Sequence, residues 1–519
     1  MGTVVMEKKE WLSHIESSIP EEARGYTVSM YSIALEGWRR GLKLKFINEN
    51  RRKSELLYSL SSKEKEHKFV VSRGDLTSGK ALKICRDKHL TKKYLKEADV
   101  STPKGELFPK NISNKKIIKY ANQLGFPLVL KPSNGTGGAG VIANIKNEKE
   151  FSGALNYVRY ELNYPDVIVE TYFSGVDHRV YVVGDKVVGA FIRIPANVIG
   201  DGKNTVNQLL KLKMKERDKN PALFKRPIKI DKEMHNMLRS QGYALDSIPK
   251  KGERIYLKSK NNVSSGGDPI DVTDHLSKEI KDIAVKAKQA IPGLAHCGLD
   301  IIVNKEENTG VVLEINTQAS IRSHLFPMEG KARDIPKEII DYYFPETAIK
   351  NKRPLYFFDF KNIYDSFRRG LAKEYVVPEM PSTDVTSTRF EVSGELRGVN
   401  YEKWIFKQAR NLKLNGYIKH LTNNKTSVVI SGSKKSVEKF REIINNKASK
   451  RAKVTSVVEK NRTTPVKIGF EIMDNLNVTS KSDTLNLQET QKEPSVLNEG
   501  YFPVRLKDMP SKIKQKNKK

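Results

Sequence analysis

Cysteine is nearly missing from this chain: two residues in 519, Cys85 and Cys297, far apart and without a Cys or His partner at metal-ligand spacing. That gives neither a disulfide framework nor a zinc signature, and it suits a reducing compartment. Long apolar runs are missing too. No stretch approaches the roughly 18 residues of a membrane span. The opening MGTVVMEKKEW lacks an apolar signal core, and Met6 stands where myristoylation wants Ser or Thr. The expectation is a cytoplasmic protein without an anchor. Also absent are a GK[ST] phosphate loop, a glycine turn opening a helix, and an activated Ser or Cys motif. Acidic residues are scarce beside basic ones, 61 against 93, for a formal charge of +32.

Hydrophobic residues at 38% and charged residues at 30% describe a globular protein with polar connectors rather than a disordered chain. Its length allows roughly three to five units. The positive excess attracts nucleic acid, an anionic membrane face, nucleotides or an acidic polymer, unless it is only a solvated Lys-rich surface. Periodicity divides the chain into a small α/β unit over 1–84, alternating strands and helices over 85–345, and a polar connector over 346–388. A β-α-β-β-α-β unit over 389–460 and a basic disordered tail over 461–519 complete it. The fold class expected is mixed α/β and α+β.

Three stretches carry chemistry. In FPLVLKPSNGTGGAGVIANI an apolar strand ends at Lys131, and Ser133, Gly135, Thr136, Gly137, Gly138 and Gly140 follow before the next strand. Such a loop is either a plain turn or a cover for a triphosphate, its bare backbone N–H groups reaching phosphate oxygens beside Lys131. In VIVETYFSGVDHRVYVV, Glu170 and Phe173 end one strand and Asp177 and Arg179 start another. That is either a hairpin with charged shoulders or an edge that reads adenine, with Asp177 on ribose. In GLDIIVN and VVLEINTQ, Asp300 and Glu314 sit inside apolar strands, and alternation puts Glu314 and Asn316 on one face. Carboxylates there are costly unless paired or metal-bound, and oxygen donors suit Mg2+.

Taken in chain order, DKHLTKKYL, VLKPSNGTGGAGV, VETYFSGVDHRV, RIPANVIGDGKNT, NNVSSGGDPIDVTD and the GLDIIVN…VLEINTQ pair resemble the ATP-grasp superfamily. Within it they are similar to the ligase modules of cyanophycin synthetase and of the bifunctional bacterial enzymes that make glutathione. The resemblance spans residues 85–345. It implies that Lys88 and Lys131 bind nucleotide phosphates, that residues 133–140 close over ATP, and that Glu170, Phe173 and Asp177 bound the nucleoside. Asp300, Glu314 and Asn316 would hold two Mg2+ ions, with Mn2+ as an alternative. Arg179 and Arg193 would stand by the transferred phosphoryl group, and Ser264, Ser265, Gly266 and Gly267 by the substrate. The sequence departs from the pattern after Asn316, where Thr317, Gln318 and Ala319 replace the usual Asn-Pro continuation.

The implied activity is an ADP-forming carboxylate–amine ligase working through an acyl phosphate on amino acids or peptides. The alternatives are a ligase acting on a macromolecular acceptor, or a non-catalytic nucleotide- or nucleic-acid-binding protein. VSGELRGVNYEKW and GYIKHLTNNKTSVVISG resemble the two signature regions of acylphosphatase. In that family an Arg holds the acyl phosphate and an Asn places water, and here Glu402 and His420 stand at those positions. An acidic side chain would repel the phosphate, so acylphosphatase activity is expected to be absent. Residues 389–460 hold 17 Lys or Arg against 6 Asp or Glu, an excess of 11. This basic unit either docks an acidic polymer, a carrier protein or a tRNA, or is a stabilising appendage or the contact of a homo-oligomer.

Overall fold

The computed structural model describes residues 9–49, 56–134, 139–348, 356–381, 385–421, 425–446 and 452–473. Residues 474–519 of the tail expected over 461–519, and Gly135, Thr136, Gly137 and Gly138, lie outside the described residues.

The N-terminal α/β unit is organised by the helix Val28–Arg39, buried along its whole length. Its apolar side chains lie in one core with Phe46 and Tyr58 from the strands beside it. Those strands, Lys43–Ile47, Leu57–Ser61, Glu66–Val70 and Arg73–Gly74, form an antiparallel sheet whose outer edge is Glu374–Val376. That edge strand comes from the stretch expected to be a connector. The same stretch supplies the helix Phe360–Arg368, and the ring of Phe358 lies 5.9 Å from Phe46 and 5.7 Å from Trp38. Tyr356, Phe358 and Phe360 of its aromatic run LYFFDF are therefore core, with Phe357 packed against them, a signal that the Pro and charged residues around them hide.

Two further sheets follow in the chain. The first runs Gly105–Phe108, Val167–Thr171, Leu128–Pro132, Ile142–Ile145, all antiparallel, with the helices Asn114–Leu124 and Glu148–Asn156 packed into its core. The second runs Asp268–Asp271, Lys186–Ile194, Val176–Val183, His296–Asn304, Thr309–Asn316. One face of it carries Val180, Val182, Leu299, Ile301 and Val303 against Ile280, Ala284 and Ala287 of the helix Lys278–Gln289. Period-two alternation leaves Asp177, Arg179 and Asp300 on the other face. Residues 172–175 lead from the first sheet directly into the second, and Gly175 there has φ +154, with an added Cβ falling 2.6 Å from the carbonyl oxygen of Val303. The approach leaves no space for a side chain.

A lobe is inserted between these strands, with the helices Val206–Lys219 and Lys232–Ser240 and the strand pair Asn197–Ile199 with Arg254–Tyr256. The C-terminal sheet runs Lys453–Asn461, Thr386–Glu395, Lys425–Gly432, Asn415–His420 in antiparallel register, with the helices Tyr401–Asn411 and Lys434–Asn446. This is the expected β-α-β-β-α-β order. Contrary to the expectation of a disordered tail from residue 461, Phe470–Met473 adds a fifth, parallel strand to this sheet, and Val466–Lys467 pairs with Tyr356–Phe357. Tyr417, Val429 and Ile468 join the core of the N-terminal unit, and the Ser431 hydroxyl donates to the Tyr356 hydroxyl at 3.0 Å. Apolar side chains at short, irregular spacing gave no period to read there.

Candidate active site

Arg179 and Asp300 are register partners on adjacent strands, and their side chains form a two-pronged ion pair, Nε to Oδ1 at 2.6 Å and Nη2 to Oδ2 at 2.9 Å. Arg193, on the strand Lys186–Ile194, donates to Asp177 at 2.5 Å and lies 3.8 Å from Asp300. A row of alternating charge, Asp177, Arg193, Asp300 and Arg179, thus crosses three strands on one face. The row is not fully satisfied: Asp177 Oδ1 and Arg193 Nε are buried without a hydrogen-bond partner among the described residues. Burial pushes the Asp177 carboxyl up; Arg193 opposes this, the Asp300 charge adds to it, and the net direction is upward. Polar atoms left open in a charged row are a place for a polar ligand.

The metal reading depends on how the strand Thr309–Asn316 is cut. Asp300 pairs with Glu314, but Ile301 pairs with Val312, so Leu313 is an extra, bulged residue. The bulge lets Val312 and Ile315 both enter the core on the far face. Glu314 and Asn316 then share the face of Asp300, as alternation from Glu314 onward predicts. Without the bulge, Val312 would share a face with Glu314. Among the described residues no group of three or more His, Cys, Asp and Glu side chains forms a metal cage. One Asp, one Glu and one Asn oxygen still fit a hard dication that keeps waters and binds substrate phosphates.

On the strand Val167–Thr171 of the other sheet, Glu170 is 3% exposed and takes Lys92 on Oε1 at 2.6 Å and Lys131 on Oε2 at 2.5 Å. Burial pushes its carboxyl up, and the two ammonium groups together bring it below the usual range. Lys131 is therefore brought to Glu170 in the strand sheet, whereas Lys88 is exposed at the first position of the helix Lys88–Glu97 and makes no ion pair among the described residues. Lys92 is the residue that sequence reading missed. It lies one helical turn beyond Lys88, so the spacing put both on one side without saying which reaches inward. Phe173 is 37% exposed at the junction of the two sheets. Asp177 sits in the charged row rather than beside Glu170. Gly140 has φ +70, and a Cβ there would fall 2.7 Å from Cγ of Pro132.

Ser264 and Ser265 close a short 3-10 turn, and Gly266 follows with φ +107. Cβ atoms at Gly266 and Gly267 would fall 2.8 Å from Ile228 and 2.5 Å from the Asn261 carbonyl. The turn is held from beneath by Arg217, which donates to the Gly267 carbonyl at 3.3 Å and to Asp268 at 2.6 Å. Asp268 is fully buried and also takes Lys213 at 2.7 Å. Sequence reading missed this cluster, since Arg217 sits amid a basic run, KLKMKERDK, that reads as a solvated face.

Behind the reacting face, His296 lies near-parallel to Tyr181 with the rings 6.0 Å apart, and His324 meets Phe191 edge-on at 4.7 Å. Burial holds His296 down to about 4, with Lys288 adding; burial holds His324 down to about 3, with Arg179 and Arg333 adding. The folded protein keeps both rings neutral while the unfolded chain takes up protons below its ordinary value, so unfolding binds protons and stability falls as pH drops from about 6.5 towards 4. Urea midpoints should fall between pH 7.5 and 5.0, and His324→Leu should flatten part of that slope. An unchanged slope in the variant would remove His324 from this account.

In the C-terminal unit, Glu402 and His420 lie close together. His420 Nε2 lies 3.7 Å from Glu402 Oε2, and that oxygen is buried without a hydrogen-bond partner among the described residues. Arg397, five residues before Glu402, donates to the Leu421 carbonyl at 2.7 Å. No helix among the described residues is long and apolar enough to cross a membrane.

A family model described as ATP-grasp domain matches residues 85–320, and one described as acylphosphatase matches residues 388–472. The chain is similar to a glutathione biosynthesis bifunctional protein of Desulfotalea psychrophila, 30% identical over 63% of this chain and 42% of that protein. It is also similar to a cyanophycin synthetase of Crocosphaera subtropica, 34% identical over 52% of this chain and 31% of that protein. It spans less than half the length of either relative. A solved bifunctional glutathione synthetase from Pasteurella multocida covers 57% of this chain and 41% of its own at 26% identity, with a TM-score of 0.47.

Proposed function

We propose that this chain, which carries an ATP-grasp domain and a C-terminal acylphosphatase-like domain, joins a carboxylate to an amine at the expense of ATP. The observation that carries this reading is the row Asp177, Arg193, Asp300, Arg179 lying beside Glu314 and Asn316, with Lys131 paired to Glu170 on the neighbouring sheet. Lys131 and Lys92 hold the nucleotide phosphates once these displace Glu170 as their counter-charge. The loop from Ser133 to Gly140 covers the nucleotide. Bound by Asp300, Glu314 and Asn316, Mg2+ would offset phosphate charge and orient the transferred group. The substrate carboxylate attacks the γ-phosphorus in line, ADP leaves, and Arg179 and Arg193 receive the charge that builds on the transferred phosphoryl oxygens. The amine then attacks the acyl carbon of the acyl phosphate, and phosphate departs with the C–N bond formed. Ser264 to Gly267, held by Arg217, shape the substrate side. Amino acids or short peptides are the substrate class that the relatives' names favour. Phosphate release from ATP and Mg2+, screened with pooled amino acids and peptides, tests the reading.

The C-terminal domain supports this enzyme as a structural partner and has lost its own chemistry. Its sheet is fixed to the body through Tyr417, Val429 and Ile468, which favours a built-in role over a freely docking module. A carboxylate at position 402 repels an acyl phosphate. The intact chain is expected to release no phosphate from benzoyl phosphate above the uncatalysed rate, and Glu402→Arg with His420→Asn to gain measurable hydrolysis. Hydrolysis by the unaltered chain would overturn this.

A further inference from the structure

Three segments distant in sequence meet around Tyr26. The Gly25 amide donates to the Pro221 carbonyl at 2.8 Å, so residues 24–26 run beside residues 221–226 of the inserted lobe. Arg322 opens the short helix Arg322–Leu325, which follows the strand Thr309–Asn316. The guanidinium carbons of Arg226 and Arg322 each lie 4.1 Å from the centroid of the Tyr26 ring, and that of Arg24 lies 5.1 Å from Phe224. Aromatic faces hold cations in place without neutralising them.

Counter-charge is what this cluster lacks. Among the described residues none of the three arginines pairs with a carboxylate, while the neighbouring Lys225 has taken Glu21 at 3.4 Å. Arg322 is 9% exposed, and its Nη1 is buried without a hydrogen-bond partner, as is Nε of Arg24. A buried guanidinium with open donors is costly. Burial, with the like charge of Arg226 second, pulls Arg322 down to about 10. Tyr26 itself is 59% exposed, so the cluster opens to solvent. An entering anion would relieve both the repulsion and the empty donors.

The cluster lies close to the reacting face. A Cβ at Gly298 would fall 2.5 Å from Ala319 Cβ and 3.4 Å from Arg179 Cδ, so Ala319 borders the Arg179–Asp300 pair. Arg322 follows three residues later, at most about 11 Å along an extended chain. Planar guanidinium forks match a carboxylate in two-pronged geometry. We propose that Arg226 and Arg322, held against Tyr26, form a subsite for a second, non-reacting carboxylate of a substrate. The substrate class that follows is an amino acid, a dicarboxylic acid or a short peptide with a free carboxylate within a few bonds of the reacting group. The proposal rests on the ligase reading for the identity of the reacting end, and on the arginine cluster alone for the anion.

The test uses the full chain and phenylglyoxal, with peptide mapping of Arg226, in the presence of pooled amino acids and dipeptides, the same pool as carboxamides, or inorganic phosphate. Phosphate release is followed in parallel. The carboxylate pool should protect Arg226 while the amides and phosphate do not. Arg322→Gln should raise the half-saturating pool concentration about 10- to 100-fold. Arg226→Gln, at a partly exposed position, gives the same readout should Arg322→Gln not fold. Stimulated phosphate release without protection, or equal protection by amides or by phosphate, overturns the subsite and leaves the ligase reading standing. Protection without any stimulated release does the reverse. Neither protection nor release overturns both.

Discussion

Arg179→Ala is expected to lower the phosphate-release rate about 100- to 1,000-fold, with a far smaller change in nucleotide affinity. The geometry of Arg179 is constrained, since both prongs of its guanidinium are fixed on Asp300 at 2.6 and 2.9 Å. A cation positioned in advance costs no reorganisation when charge develops on the transferred group, so its loss falls on the rate rather than on binding. In the proposed mechanism the phosphates of the ground-state nucleotide fall to Lys131 and Lys92, which are held on Glu170 rather than on the Arg179–Asp300 pair. Arg179→Lys keeps the charge but loses the fork, and should recover only part of the rate. Comparable losses in rate and in nucleotide affinity would move Arg179 from transition-state stabilisation to simple binding.

Asp268→Ala is expected to destabilise the protein by about 3 to 5 kcal/mol, measured by urea denaturation. Asp268 has no solvent exposure and balances both Lys213 and Arg217, and Arg217 is itself 1% exposed. Burial already pulls the Arg217 guanidinium down, with Asp268 opposing; removing the carboxylate leaves that cost without compensation. The functional consequence follows from the same contacts. Arg217 carries the Gly267 carbonyl, so the turn over residues 264–267 should loosen with it. Replacing Asp268 and Arg217 together by Asn and Met removes the deeply buried pair and leaves only the less buried Lys213 without its carboxylate, and should cost less than Asp268→Ala alone. A single variant as stable as the parent would mean that Lys213 and Arg217 reach water or another partner.

What the sequence made legible was whatever repeats or alternates. The two acidic strands placed Glu314 and Asn316 on one face because both follow the Leu313 bulge, and the bulge itself left no trace in the alternation. The order of the C-terminal unit could be read for the same reason. Illegible were contacts that join distant segments: Glu374–Val376 closing the first sheet, Phe470–Met473 extending the last, and Lys92 rather than Lys88 reaching Glu170. Tyr26, Arg226 and Arg322 are about 300 residues apart at the extremes and meet only in the fold. Charged residues in a chain of +32 net charge look alike until burial separates those with partners from those without.

The central claim, that one carboxylate is activated by ATP and captured by an amine, is tested most directly by phosphate release from ATP and Mg2+ in the presence of pooled amino acids and short peptides, with mass spectrometry of the products. The account predicts release that depends on one acid and one amine, lost in Glu314→Ala, and a product lighter than their sum by one water. Nucleotide binding with no pool able to stimulate release, and no new C–N product, would contradict it.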